Sequence, residues 1–226
     1  MIENFDFGIV IGSLPFLLKG LKISFYLTLL ALIGGIFFGT LLALMRVSKF
    51  KTLQYFSMTY VNFLRSLPLI LVIFWFFFLI PVLIGRPIGG FYSAVIAFTM
   101  FEAAYYSEII RAGLLSVSSN QISAARATGL SYSQSMVHII LPQAFRNMMP
   151  ILLTQAVILF QDTSLVYVVS LRDFMTASVI VAQSESRLVE MYIFAALVYF
   201  VICFTFSLWL KRFKIEEELY DWIKKC

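Results

Sequence analysis

Four consecutive polar residues interrupt an apolar stretch in the second half of the chain: Gln161, Asp162, Thr163 and Ser164. If this stretch crosses a bilayer, a carboxylate at depth costs roughly 2.5–3.5 kcal/mol, so Asp162 needs a compensating role. One interpretation places the four residues on a pathway, where the carboxylate faces a cationic group and the hydroxyls offer hydrogen bonds. The alternative is that Asp162 lies at the interface between the bilayer and the outside and caps a short helix with Thr163 and Ser164.

Two glutamates in another apolar stretch lead to different expectations. Glu108 and Arg111 are three residues apart, so on a helix they share a face and can form a structural ion pair. Glu102 has no cation three or four residues away. It is therefore either a residue of the pathway or the partner of a cation on another helix.

The residue types needed for catalysis or metal binding are scarce. His138 is the only histidine, and the two cysteines are an internal Cys203 and the last residue, Cys226. This spacing supports neither a metal site nor a disulfide framework. We therefore expect no catalytic residue, no metal and no cofactor on this chain.

A glycine-rich run spans Gly34 to Gly39. It has no lysine to reach a phosphate, so it is not a nucleotide-binding loop, and any ATP must be hydrolysed elsewhere. Gly35 and Gly39 instead form a small-xxx-small pair that lets another helix pack at short range. We favour packing within this chain over a seam between two subunits.

The composition is that of a membrane protein. Of 226 residues, 61% are hydrophobic and 13% are charged, about half of the ~25% charged residues in a soluble domain. An ordinary soluble domain is thereby excluded. The net charge of +5 is better explained by membrane topology than by nucleic acid binding.

Uncharged stretches of about 20 residues can cross the ~30 Å hydrocarbon core of a bilayer as helices. They predict an all-α integral membrane protein with a single domain, residues 1–226, and five transmembrane helices. The spans are expected at about 22–46, 59–84, 90–114, 142–162 and 190–211. Pro142 is well placed as the first helical residue of the fourth span.

The distribution of cations predicts the orientation. Most of the 17 Lys and Arg residues fall on one side of the five spans. The positive-inside rule then places the N-terminus outside and the C-terminus in the cytoplasm. The loop between the third and fourth spans, residues 115–141, is cytoplasmic in this arrangement.

That loop is polar and predicts a short helix outside the membrane. Ser118, Ser119 or Asn120 can cap its start, Gly129 can end it in a left-handed conformation, and Ser131 can cap a second helix. The small side chains of this segment would let the backbone of a partner approach closely. The alternative is that they only make its turn.

The same segment resembles a signature of the permease subunits of bacterial ABC importers, Glu-Ala-Ala-x3-Gly-x9-Ile-x-Leu-Pro. Ser123 replaces the usual glutamate, which removes any contact that a carboxylate would make there with the ATPase. Ile139 falls at the expected place. The resemblance implies that the residues at these positions couple the permease to its ATPase: Ser123, Ala124, Ala125, Gly129, Leu141 and Pro142.

Further stretches resemble the polar amino acid branch of this family, namely residues 63–69, 104–113, 141–146 and 161–165. Within the branch, residues 100–106 and 160–167 look most like glutamate/aspartate importer permeases. The resemblance implies a permease of the bacterial inner membrane that forms the translocation pathway. Its implied partners are an ATPase dimer that binds ATP, a second permease, identical or not, and an extracytoplasmic amino acid binding protein.

An acidic amino acid as cargo implies two charge contacts. Asp162 would meet the ammonium group, and a cation must meet the side-chain carboxylate. Arg65 and Arg172 are the candidates for that cation, whereas an interfacial role is the better interpretation of Arg187. The expected substrate contacts are therefore Gln161, Asp162, Thr163, Ser164, Arg65, Glu102 and Arg172.

Two other functions stay open at this point. One is an ion-coupled secondary transporter that uses Asp162 and Glu102, and the other is an integral membrane enzyme. The spacing of motifs assembles no nucleophile, base and oxyanion donor, which argues against the enzyme. Uptake that needs ATP and survives the collapse of ion gradients distinguishes the ATP-driven importer from both.

Overall fold

The computed structural model describes the backbone of residues 7–225 and the side chains of residues 8–210. Nearly all of these residues are helical, and no strand occurs among them. The helices are α1 (Phe7–Val47), α2 (Lys51–Arg65), α3 (Leu69–Phe74), α4 (Ile80–Ile84), α5 (Gly90–Leu115), α6 (Ser119–Ala127), α7 (Tyr132–Ser135), α8 (Leu141–Asp162), α9 (Phe174–Ser184) and α10 (Leu188–Lys225). π-helical turns at Trp75–Leu79 and Met136–Ile140 join α3 to α4 and α7 to α8, and a 3₁₀ helix, Thr163–Val169, follows α8.

Three of the described helical segments are long and apolar enough to cross a membrane: Gly8–Val47, Tyr132–Val169 and Leu188–Leu210. Two further segments, Lys51–Arg65 and Leu69–Ile84, are long and apolar enough only when they are taken together, as a fourth span with a break in it. α5 has 26 residues, but Glu102, Glu108 and Arg111 lie among its apolar residues. The number of five spans therefore stays a prediction.

α1 differs from the prediction for the first span. The expected start is near residue 22, whereas α1 begins at Phe7 and has 41 residues. Lys19 and Lys22 interrupt the uncharged run, yet a lysine does not stop a helix, and Pro15 lies inside α1. At 1.5 Å per residue α1 is about 62 Å long, about twice the ~30 Å hydrocarbon core. Part of α1 therefore lies outside that core.

Prolines account for three of the interruptions among the described helices. The second predicted span, 59–84, is broken between Arg65 and Leu69, because Pro68 disfavours a helical conformation in the residue before it. Each π-helical turn ends two residues before a proline, Pro81 or Pro142. A proline lacks the donor for a bond to residue i−4, and its ring clashes with that carbonyl. The wider turn relieves this clash.

The prediction that Pro142 opens the fourth helix is wrong. The helix begins at Tyr132 and continues through the π-helical turn into α8. The second helix predicted after Ser131 is confirmed, and it is continuous with α8.

The chain divides into two compact units. The first unit comprises Met1–Leu32, Leu69–Phe98 and Ala156–Cys226, and the second comprises Ile33–Pro68 and Thr99–Gln155. In the described part of the first unit, α1, α9 and α10 share one apolar core. Its buried members are Val10, Leu17, Phe174, Ala177, Val181, Ala182, Met191 and Ala195.

In the second unit, α1 and α5 approach closely along the glycines of α1. A Cβ added at Gly35 would lie 2.9 Å from the Cβ of Glu102, and one added at Gly39 would lie 2.8 Å from the Cβ of Tyr106. Real Cβ atoms do not come so close to their neighbours. The prediction that these glycines pack within this chain is confirmed.

Candidate functional site

Glu102 is fully buried in the second unit, on the side of α5 that faces Gly35. The Nε2 atom of Gln155, on α8, lies 3.2 Å from each oxygen of its carboxylate and donates to it. A buried carboxylate is costly unless it accepts hydrogen bonds, so Gln155 stabilises Glu102. This pair could not be found from the sequence, because only the packing of α5 against α8 joins residues so far apart in the chain.

Glu108 is the centre of a three-residue ion pair network. Its carboxylate accepts hydrogen bonds from Arg111 on the same helix and from Arg46 at the end of α1. The structural pair of Glu108 and Arg111 is thus confirmed. Arg46 is an additional partner that the sequence does not indicate, because it is 62 residues away.

Arg65, the last residue of α2, is exposed and lies over an aromatic ring. Its Cζ atom is 5.2 Å from the centroid of the Tyr105 ring on α5, a cation–π geometry. The contact holds the guanidinium in place while its N–H groups form no hydrogen bond or ion pair within the described part of the chain.

Asp162 ends α8 in the first unit and is half-buried. Its side chain does not cap the 3₁₀ helix that follows, so the capping alternative for Asp162 is wrong. The carboxylate makes no hydrogen bond or ion pair with the residues that the structure describes. The hydroxyl of Thr163 is buried and donates to the carbonyl of Phe160 at 2.7 Å, which leaves only its lone pairs for another partner.

The neighbours of Asp162 differ in exposure. Gln161 is exposed, and its side chain lies by the thiol of Cys203 on α10, whereas Ser164 is half-buried. Arg172 is exposed and forms no ion pair with a described acidic residue. Arg65 and Glu102 belong to the second unit and the other candidate substrate residues to the first.

The carboxylate that does cap a helix is Asp173, which is fully buried. Its Oδ1 accepts hydrogen bonds from the amide and hydroxyl of Thr176, at 2.9 and 2.6 Å, and its Oδ2 accepts one from the amide of Met175 at 3.0 Å. The hydroxyl of Ser24, on α1, accepts a bond from the amide of Phe174 at 3.1 Å. Asp173 therefore caps α9, and the bond between Phe174 and Ser24 joins the start of α9 to α1. An Asp two residues before Met175 and three before Thr176 is the sequence signal of this N-cap.

The predicted caps of the loop between α5 and α8 are confirmed. Ser118 caps α6 by accepting a bond from the amide of Asn120. Gly129 has a φ of +82° and ends the helix in the left-handed region. Ser131 caps α7 and forms a capping box with Gln134, so each end of α6 is set by local sequence.

The signature residues of this segment fall into two groups. Ala125 is buried, and Ile122, also on α6, packs against a small core of Val117, Ile140 and Ala144, which attaches α6 to its own unit. The others are exposed: Ser123, Ala124, Gly129, Leu141 and Pro142. On α6 itself the exposed signature residues, Ser123 and Ala124, have small side chains, and the longer exposed side chains of Asn120, Gln121 and Arg126 lie on the same helix.

Residues 35–214 match the family described as binding-protein-dependent transport system inner membrane component. The match includes the signature residues, Glu102 and the segment from Gln161 to Ser164. The chain belongs to this family. It is a permease, an inner-membrane transport component and not an enzyme, which confirms the resemblance seen in the sequence.

Similar proteins agree with this assignment. The glutamate/aspartate import permease protein GltK of Escherichia coli is 49% identical to this permease over 219 residues, which cover 92% of this chain and 98% of GltK. The probable glutamine ABC transporter permease protein GlnM of Bacillus subtilis is 40% identical over 189 residues, covering 82% and 87% of the two chains.

Solved structures show the same fold. A chain from the crystal structure of an amino acid ABC transporter with histidines has a TM-score of 0.89 and 30% identity, and the match covers 93% of this permease and 98% of that chain. An inward-facing structure of the MetNI methionine ABC transporter has a TM-score of 0.70 at 19% identity over 88% of this permease and 94% of that chain, which supports the fold alone.

Proposed function

We propose that this permease is a subunit of an ATP-driven importer of glutamate and aspartate. The observation that carries the proposal is its 49% identity with a glutamate/aspartate import permease over 92% of the chain. Its partners are a second permease, identical or different, an ATPase dimer that binds ATP, and an extracytoplasmic amino acid binding protein. The permease itself forms the translocation pathway.

The test is uptake into proteoliposomes that contain the complete transporter. Labelled glutamate should accumulate only with ATP inside and binding protein outside, and accumulation should persist when ionophores collapse the ion gradients. Uptake that follows an ion gradient without ATP would support the secondary transporter instead. Nothing in the family match favours that alternative.

The proposed topology has five spans in one domain, with the N-terminus outside and the C-terminus in the cytoplasm. It is supported by the excess of cations near the ends of the spans. Ser119 is exposed at the start of α6 and provides a test. In a Cys203→Ser, Cys226→Ser background, Ser119→Cys should react with an impermeant maleimide in inverted vesicles and not in spheroplasts. Labelling only in spheroplasts would reverse the orientation.

Substrate recognition is proposed to use two separable charge contacts. The carboxylate of Asp162, with Gln161, Thr163 and Ser164 beside it, binds the ammonium group of the amino acid. This role is supported by a carboxylate that has no partner among the described residues. Arg65 and Arg172 are the candidates for the side-chain carboxylate of the substrate.

Glu102 is proposed to act through Gln155. Because Glu102 is fully buried and accepts from the Gln155 amide group, it fixes the orientation of that amide. The side-chain oxygen of Gln155 is then the atom left to face a substrate donor. Glu102 is thus a positioning residue of the pathway.

The segment around α6 is proposed to dock on the ATPase. The small exposed residues Ser123, Ala124 and Gly129 let the partner approach closely at these positions. Leu141 and Pro142 lie where the segment enters α8, and buried Ala125 transmits force to its own unit. Serine at position 123 offers a hydroxyl where the family signature has a carboxylate.

A further inference from the structure

Three arginines lie along one face of the second half of α5. Tyr105, Glu108 and Arg111 are spaced by three residues and therefore follow one face over about 9 Å. Arg65 lies over the ring of Tyr105. Arg46 and Arg111 both donate to Glu108. We call the three arginines, with Glu108 between them, the arginine stripe.

The arginine stripe has more positive charge than the second unit can neutralise. It contains three guanidinium groups and one carboxylate, that of Glu108, which pairs with Arg46 and Arg111. The sequence of the second unit contains one other acidic residue, Glu102, which is buried against Gln155. Two positive charges are therefore in excess, and partial burial makes an anion favourable there.

Donor groups of the stripe are available to such an anion. The N–H groups of Arg65 are exposed and have no hydrogen-bond partner within the described residues. The Nε atom of Arg111 is buried and also has none among them. Because a guanidinium presents a planar fork of donors, it matches a carboxylate in two-point contact.

The arginines of the stripe differ in exposure. The side chains of Arg46, Glu108 and Arg111 are 13%, 24% and 29% exposed. Solvent reaches them, but they are shielded on most sides. Arg65 is exposed, so an anion can reach it from solvent, and the shielded Arg46 and Arg111 add positive charge behind it.

We propose that the arginine stripe binds the side-chain carboxylate of the transported acidic amino acid, with Arg65 as the contacting group, at a step of transport separate from the contact with Asp162. The inference rests on the proposed function and deepens it, because it assigns selectivity for a carboxylate over an amide to Arg65 and not to Arg172. Glu108 is a positioning residue that holds Arg46 and Arg111 in place. It also lowers the positive charge, so that the anion can leave again.

The first experiment measures selectivity in proteoliposomes that contain the complete transporter. The uptake ratio of glutamate to glutamine is compared in the wild type, Arg65→Gln, Arg65→Lys and Lys49→Gln. Arg65→Gln should lower the ratio about two- to fivefold, because it removes the charge of an exposed guanidinium that pairs with a carboxylate and not with an amide. Arg65→Lys should recover part of the ratio, since it restores the charge without the fork. Lys49→Gln removes an exposed cation outside the stripe and should leave the ratio unchanged.

A purely structural role of Arg65 would lower the uptake of both amino acids equally. An unchanged ratio in Arg65→Gln therefore overturns the proposal, and so does a fall seen with Arg172→Gln alone. In either case ATP-driven uptake of glutamate by the wild type would still support the proposed function.

The second experiment does not depend on transport. The melting temperature of the purified complex, without binding protein, is measured with glutamate and with glutamine. Glutamate should raise it more than glutamine does, and Arg65→Gln should abolish the difference. Stabilisation by phosphatidylglycerol but not by glutamate would assign the stripe to a lipid headgroup and overturn the proposal. If glutamate stabilises the complex through Arg65 but the wild type does not transport glutamate, the binding role of the arginine stripe is supported and the proposed function is wrong.

Discussion

Two glycines of α1 allow the packing of α1 against α5 to be measured by one kind of substitution. A Cβ at Gly39 would lie 2.8 Å from the Cβ of Tyr106 and 3.0 Å from two backbone atoms of α5, the oxygen of Ala103 and the nitrogen of Ser107. A Cβ at Gly12 would have nothing within 4 Å. Ordinary contacts of a Cβ atom lie at 3.4–4 Å, so Gly39→Ala forces an overlap of several tenths of an ångström.

The two substitutions share every effect except this overlap. Replacing Gly by Ala within a helix stabilises it by about 0.5–1 kcal/mol. Overpacking costs about 1–3 kcal/mol, and at Gly39 the backbone of α5 cannot move aside as a flexible side chain could. Gly12→Ala should therefore stabilise the permease by up to about 1 kcal/mol. Gly39→Ala should leave it up to about 2.5 kcal/mol less stable.

The difference between the two variants measures the packing cost, because the helix propensity cancels. The assay is thermal unfolding of the purified permease in one detergent, with the wild type as reference. Gly39→Ala should unfold at a lower temperature than the wild type or at most the same, and always below Gly12→Ala. Equal unfolding temperatures of the two variants would refute the close approach of α1 and α5.

Three further predictions concern the cargo, the coupling segment and α9. Asp162→Asn should reduce uptake of glutamate and glutamine together, by about tenfold or more, in competition uptake; normal rates for both would exclude Asp162 as a substrate contact. Gly129→Trp should keep ATP hydrolysis and lose uptake in proteoliposomes. Gly129→Asn should retain both, because asparagine tolerates a left-handed φ. Normal uptake by Gly129→Trp would exclude a contact between Gly129 and the ATPase. Asp173→Ala should destabilise the permease by about 0.5–2 kcal/mol in thermal unfolding, and Asp173→Asn by less, because an amide oxygen still accepts; equal losses would show that capping is not the role of Asp173.

Features that depend on neighbouring residues could be predicted from the sequence. The caps at Ser118, Gly129 and Ser131 follow from the preferences of serine and glycine at helix ends. The pair of Glu108 and Arg111 follows from the helical period. In each case the partners are at most a few residues apart, so no tertiary packing is needed to bring them together.

Contacts between distant helices could not be predicted in this way. Arg46 reaches Glu108, and Gln155 reaches Glu102, only after α1, α5 and α8 have packed. The early start of α1 could not be predicted from hydropathy for another reason. Lys19 interrupts the run of apolar residues, but it does not interrupt the helical backbone. Hydropathy therefore marks where a helix can meet lipid and not where the helix begins.

The π-helical turn Met136–Ile140 also sets the angular register of the segment before α8. Such a turn contains one residue more than an α-helical turn, and each residue of an α-helix advances the backbone by about 100°. Deleting one residue there would turn α7 by about that angle around the axis of α8 without altering any other side chain. Among relatives of this permease, a single insertion or deletion at this point could redirect the preceding segment toward a differently placed partner, without any substitution on the surface that makes the contact.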